Sequence, residues 1–252
     1  MPLSNQWFTR TAHPPTASLR LLCFSYAGGG SAIFHRWKRV LPESWEVVVA
    51  KLPGREDRLN DPCFEDLLDL VRELTEQWQA GDDRRLPFAL FGHSLGGALA
   101  FEFARRMQSI YGRMPLTTFV SSCRAPRRPP QSPLLHPLSD GDLIAQLLHR
   151  YGQFETSPGE LELMKMLADT IRSDIKMLET YDYPELGPLQ SPLVVCGGVD
   201  DPSVTRVVLE DWRQEAGDRF TLRMFPGGHF YLREQETALT RLIKSKLESV
   251  IA

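Results

Sequence analysis

Ser94 sits between two glycines, in Gly92-His93-Ser94-Leu95-Gly96. A serine hydroxyl is a weak nucleophile until a neighbouring base takes its proton. The G-x-S-x-G spacing serves that chemistry when a strand runs in and a helix runs out. The serine then occupies a tight turn that lifts its hydroxyl above a sheet. Side chains at positions 92 and 96 would meet backbone in such a turn, and the helix start beside the hydroxyl favours negative charge. Both flanks fit: Pro87-Phe88-Ala89-Leu90-Phe91 is a short apolar run, and residues 95–107 are rich in Ala, Leu and Phe.

In this arrangement the chain order is Ser, then Asp or Glu, then His. His136, His149 and His229 follow Ser94. Only His229 comes directly after a predicted strand, on Pro226-Gly227-Gly228-His229, so it is the expected base. The other two fall in a long helical segment. The acid is expected after the preceding strand, in Cys196-Gly197-Gly198-Val199-Asp200-Asp201-Pro202. Its work is to hold the imidazole tautomer and stabilise the imidazolium. Spacing leaves Asp200 and Asp201 both open, with the other free to cap the segment from Pro202. A tetrahedral oxyanion needs backbone donors. Leu95 N–H is one, and the second is expected from Tyr26-Ala27-Gly28-Gly29-Gly30. That glycine run continues into neither a G-x-G-x-x-G fingerprint nor a Walker lysine, so no nucleotide is expected there.

These residues need a scaffold to hold them. Apolar, β-branched or glycine-terminated runs predict strands at 19–25, 45–50, 87–92, 115–122, 191–197 and 220–225. Helical spacing predicts helices over 31–41, 64–79, 95–107, 140–150, 159–180 and about 234–250. The first 18 residues read as a loose lead-in with one edge strand at most. Strands alternating with helices mean a parallel sheet covered on both faces, with the site at the carboxyl ends of the strands. The expected class is therefore α/β, an α/β-hydrolase fold as one domain over 1–252. The segment from about 124 to 190 exceeds a single crossover helix and reads as an inserted helical lid.

The chain has 252 residues, 42% hydrophobic and 24% charged, with a net charge of -3, which suits a globular domain without a basic nucleic-acid face. Its N-terminus shows no secretory pattern and no apolar run reaches membrane length, so a cytoplasmic protein with no membrane partner is expected. Four cysteines form no C-x-x-C pair. Cys23, Cys123 and Cys196 read as buried and reduced, and neither cofactor nor metal is expected. Trp37, Trp78 and Trp212 read as packing residues. Arg55 and Arg58 read as a solvated turn. For Arg124, Arg127 and Arg128 a docking patch and a solvated loop stand level.

The sequence resembles the type II thioesterases, the discrete hydrolases that accompany polyketide and nonribosomal peptide synthases. The likeness spans nearly the whole chain. It rests on Phe24-Ser25-Tyr26-Ala27-Gly28-Gly29-Gly30, Leu52-Pro53-Gly54-Arg55-Glu56-Asp57-Arg58, the run through Gly92-His93-Ser94, and Phe225-Pro226-Gly227-Gly228-His229-Phe230. Ser25 and Leu95 stand where the family usually has proline and methionine. The resemblance implies hydrolysis of acyl groups from the phosphopantetheine arm of acyl or peptidyl carrier proteins, by a monomer. It implies Asp201 as the acid, through G-x-x-D-P-x-V, Ala27 N–H as the second oxyanion donor, and a mobile lid over 124–190. The rivals are a medium-chain fatty acyl-carrier thioesterase, a general carboxylesterase on the same fold, and a non-catalytic carrier-binding module.

Overall fold

Strand β2 (Leu19–Phe24) divides the interior in two. Leu19, Leu21 and Cys23 belong to one apolar cluster, and Leu22 and Phe24 to another. Successive side chains leave a strand on opposite faces, so a strand buried along its whole length needs cover on both. The computed structural model supplies that cover. It describes residues 6–10, 16–82, 85–151, 158–184 and 187–251, so residues 1–5 and 11–15 of the expected lead-in lie outside the described residues.

Seven strands form one sheet in the order β1-β3-β2-β4-β5-β6-β7. The others are β1 (Phe8–Arg10), β3 (Trp45–Ala50), β4 (Phe88–His93), β5 (Thr118–Ser121), β6 (Leu193–Gly198) and β7 (Phe220–Phe225). All neighbours are parallel except β1, which pairs antiparallel with β3 at the edge. Helices α1 (Leu67–Gly81) and α2 (Leu95–Tyr111) cover one face, with Leu70, Leu74 and Trp78 of α1 in the cluster of Leu22 and Phe24. Helix α7 (Glu236–Ile251) covers the other through Leu239, Ile243 and Leu247, beside Phe34 and Trp37. Trp37, Trp78 and Trp212 are all buried, as expected of packing residues.

Three expectations change. The helix expected over 31–41 is two 3₁₀ stretches, Ser31–Phe34 and Trp37–Arg39. Residues three apart eclipse in a 3₁₀ turn, which brings Phe34 and Trp37 to the same buried face, while Val40, just past the second stretch, is exposed. Between β6 and β7 lies a short helix, α6 (Arg206–Glu210), that the pattern did not signal. The helix expected over 159–180 is two, α4 (Pro158–Met166) and α5 (Ala168–Glu179). Leu167 breaks it with φ −100° and ψ 15°.

Between β5 and β6 the chain carries α3 (Asp140–Tyr151), α4 and α5, apart from residues 152–157 and 185–186, which are outside the described residues. Leu143 and Leu147 of α3 meet Ile171 and Ile175 of α5 in a small third cluster. Helix α4 buries no side chain and leaves Leu163 and Met166 exposed.

Candidate active site

Ser94 lies between the end of β4 and the first turn of α2, with φ 55° and ψ −118°. A non-glycine residue at positive φ costs energy and persists only where its surroundings hold it. Here Ser94 N–H donates to Ser121 O at 2.8 Å, and Ser94 O accepts from Gly97 N–H at 2.8 Å. The flanking glycines are dictated by contact. A Cβ on Gly92 would stand 1.7 Å from Gly96 O, and one on Gly96 would stand 2.2 Å from Phe24 O. The turn therefore packs directly on the neighbouring strand and points Ser94 into the cavities above it.

The loop after β6 brings in one aspartate of the two. Asp201 is buried and its Oδ2 lies 2.7 Å from His229 Nδ1, whereas Asp200 is exposed. Asp200 N–H donates to Gly227 O and Val199 N–H to Phe225 O, so the loops bearing acid and histidine are stitched together. Asp201 also does the capping expected of the other aspartate. Its Oδ1 accepts from Ser203 N–H, Ser203 Oγ–H and Val204 N–H at 2.8–3.0 Å. Burial works to raise the Asp201 carboxyl, but the His229 hydrogen bond and charge, with the loop donors, outweigh it and hold the group at about 2. An ionised Asp201 only accepts. Nδ1 of His229 must then donate to it, which leaves Nε2 with its lone pair for a proton from Ser94.

The His229 ring lies between aromatic neighbours. Tyr151, at the end of α3, has its ring centroid 4.4 Å away, and His93 has its own at 5.3 Å. His93 is buried, and burial, with the charge of His229 behind it, pushes its pKa well below the usual histidine range. It is therefore a neutral wall and not a second base. Its Nδ1 bonds Ser121 Oγ at 2.8 Å, which in turn bonds Tyr231 OH at 2.7 Å.

The loop after β2 forms a turn closed by Gly29 N–H donating to Tyr26 O at 2.8 Å, with Gly28 at φ 72°. Positive φ at the third position alone defines a type II turn and suits glycine. Gly28 N–H donates to Asp174 Oδ2 at 2.8 Å. Of the turn's two central residues, among the described hydrogen bonds, Gly28 thus has its N–H committed and Ala27 does not. Leu95 N–H opens α2, where a helix start leaves its donors without an intrahelical partner.

Two cavities meet at Ser94 and His229, with Tyr151 lining both. One of about 190 Å³ is walled by Leu147, Leu163, Met164, Leu167, Ile171 and Ile175. The other, of about 380 Å³, is bordered by Arg124, Arg128, Gln131, Arg150 and Ser203.

Arg55 and Arg58 overturn the expectation of a solvated turn. Arg55 is 4% exposed, and its guanidinium spans both oxygens of Asp174 at 2.7 and 2.8 Å. Arg58 lies over the Trp7 ring at 3.9 Å and bonds Asp61 and Lys51 O. Glu56 accepts from Ser31 N–H and Oγ–H, so the segment 52–58 is a brace for the glycine loop. In the other arginine cluster, Arg127 pairs with Glu215, Arg128 with Asp211, and Arg124 reaches Leu178 O. His136, set aside as base, is held by Glu179 at 2.7 Å in the inserted segment. Asp174 and Tyr151 were not singled out in the sequence. Asp174 had a signal: it falls on the stripe Ile171, Asp174, Ile175 and Leu178, at spacings where a buried face calls for apolar residues. Tyr151 had none.

All four cysteines are free, and burial pushes the Cys123 and Cys196 thiols up to about 12. Among the described residues no group of three metal-ligating side chains occurs, and no helix is long and apolar enough to cross a membrane.

The thioesterase domain family model matches residues 19–247. Linear gramicidin dehydrogenase LgrE of Brevibacillus parabrevis is 34% identical over 98% of this chain and 94% of its own. Thioesterase PikA5 of Streptomyces venezuelae is 35% identical over 92% of this chain and 82% of its own. Among solved structures, the type II thioesterase BorB from the borrelidin biosynthetic cluster superposes with a TM-score of 0.88 at 36% identity, covering 97% of this chain and 98% of that one. The dehydrogenase in the first relative's name finds no echo in the glycine loop, where Ile33 stands in place of the third glycine of a dinucleotide fingerprint.

Proposed function

The chain belongs to the thioesterase family, a thioester hydrolase of the α/β-hydrolase fold, and from that premise we propose that it frees acyl groups from the phosphopantetheine arm of carrier proteins. The work would be editing or release in polyketide or nonribosomal peptide biosynthesis. Ser94 Oγ attacks the thioester carbonyl while His229 Nε2 takes its proton. Ala27 and Leu95 N–H groups hold the oxyanion, and Asp201 holds the imidazole and its charge. The tetrahedral intermediate collapses, the C–S bond breaks, and His229 returns the proton to the departing thiol. Water, deprotonated by the same nitrogen, then attacks the acyl-serine ester, and the acid product leaves as Ser94 is regenerated.

The observation that carries this reading is the 2.7 Å pair of Asp201 with His229, buried beside a serine that its strained turn presents to the same cavities. The apolar cavity suits an acyl chain. The larger one, bordered by arginines and Gln131, suits an arm carrying amides and a phosphate. Ser94→Ala should abolish hydrolysis of acyl-pantetheine while leaving the melting temperature essentially unchanged. Turnover within tenfold of the parent, at about the level a mere binding effect would leave, would refute the assignment.

A further inference from the structure

We infer that Asp174, on the inserted helix α5, is a positioning residue for the oxyanion turn, and that Arg55 holds it in that role. The inference rests on the reading of Ala27 N–H as an oxyanion donor. Asp174 is 1% exposed and touches no reacting atom. Its Oδ2 is shared between Gly28 N–H at 2.8 Å and Arg55 at 2.7 Å, and its Oδ1 takes the second arm of Arg55 at 2.8 Å. The peptide it grips joins Ala27 to Gly28. In a type II turn that central peptide is reversed relative to type I, so an acceptor on Gly28 N–H selects the turn type. Through the closed turn it also sets the direction of Ala27 N–H.

A second contact points the same way. A Cβ on Gly28 would stand 2.6 Å from Ile171, so α5 lies directly on the turn. On the neighbouring loop, Thr170 Oγ–H donates to Gly54 O at 2.8 Å. Three residues of α5, Thr170, Ile171 and Asp174, thus press on the two loops that shape the site. Helix α4 buries no side chain at all. The insertion therefore has a fixed part, α5, that belongs to the catalytic apparatus.

Removing one partner of a buried pair leaves a charge stranded, whereas replacing both by apolar residues is often neutral. The test therefore uses the double variant Arg55→Met/Asp174→Leu beside the single variant Asp174→Leu, both of which remove the acceptor from Gly28 N–H. Active sites are counted by end-point fluorophosphonate labelling. Propionyl-pantetheine hydrolysis gives kcat and KM, and phenylboronic acid serves as the tetrahedral mimic. Loss of an oxyanion donor outright costs about 10²–10³ in kcat. A misdirected one should cost roughly 10- to 100-fold per active site in both variants, with KM within about twofold and boronate affinity falling in step. Recovery of kcat in the double variant would reduce the pair to a structural role and overturn the inference. So would a kcat loss with boronate affinity unchanged. Ser94→Ala is run alongside: its inactivity with intact Asp174 variants sinks this inference alone, while its residual turnover sinks the parent reading as well.

Discussion

Exchanging one atom of Asp201 should disable the base at the far side of the imidazole. In Asp201→Asn the side chain keeps one oxygen, and three donors compete for it: Ser203 N–H, Ser203 Oγ–H and Val204 N–H, all within 3.0 Å of Oδ1. Those donors fix the orientation, so the amide NH₂ must face His229 Nδ1. An NH₂ donates, which forces Nδ1 to accept and moves the ring proton to Nε2. Nε2 then has no lone pair for Ser94. The wrong tautomer in a related triad costs about 10⁴ in kcat, or roughly 5.4 kcal/mol at 1.36 kcal/mol per decade. Asp200→Asn, at an exposed position, should stay within about twofold. Thiol release from an acyl-pantetheine substrate, followed in both purified variants, checks the ranking. A larger loss in Asp200→Asn, or a loss under about tenfold in Asp201→Asn, would refute the tautomer argument.

The same carboxylate predicts an acid limb of stability. Its folded value of about 2 lies below the ordinary 3.8, so its contribution, on the order of 2 kcal/mol, is complete above pH ~4 and lost as pH falls toward 2. Urea unfolding at pH 6 and pH 3 should show a smaller pH-dependent loss in Asp201→Asn than in the parent, and equal losses would contradict the linkage. Tyr151→Ala should join the two cavities it borders and broaden acyl scope, raising kcat/KM for bulky or branched acyl groups relative to propionyl. An unchanged selectivity profile across an acyl panel would remove Tyr151 as their partition.

Much of the fold was legible because parallel strands buried on both faces write themselves as nearly unbroken apolar runs, as at residues 45–50, a strand to the residue; the half-buried edge strand 220–225 was legible from its alternating apolar residues. The elbow was legible because steric contact leaves positions 92 and 96 no choice but glycine. What periodicity missed lies where tertiary contact overrides it. The stretch 31–41 has helical spacing, yet Glu56 takes the Ser31 N–H and two buried aromatics three apart favour 3₁₀ turns. The spacing of Asp200 and Asp201 could not separate them, because burial and the loop donors come from the folded loop. Arg55 read as solvated because its partner is 119 positions away, on a helix whose placement no local pattern encodes.

On the proposed mechanism a carrier-bound acyl group passes through an ester on Ser94. Rapid acid quench of the enzyme mixed with acyl-loaded carrier protein, followed by intact-mass and peptide mass spectrometry, tests it most directly. An adduct equal in mass to the acyl group is expected on the peptide containing Ser94, with both adduct and turnover lost in Ser94→Ala. Acyl-carrier hydrolysis that persists in Ser94→Ala, or an adduct on any other residue, would contradict it.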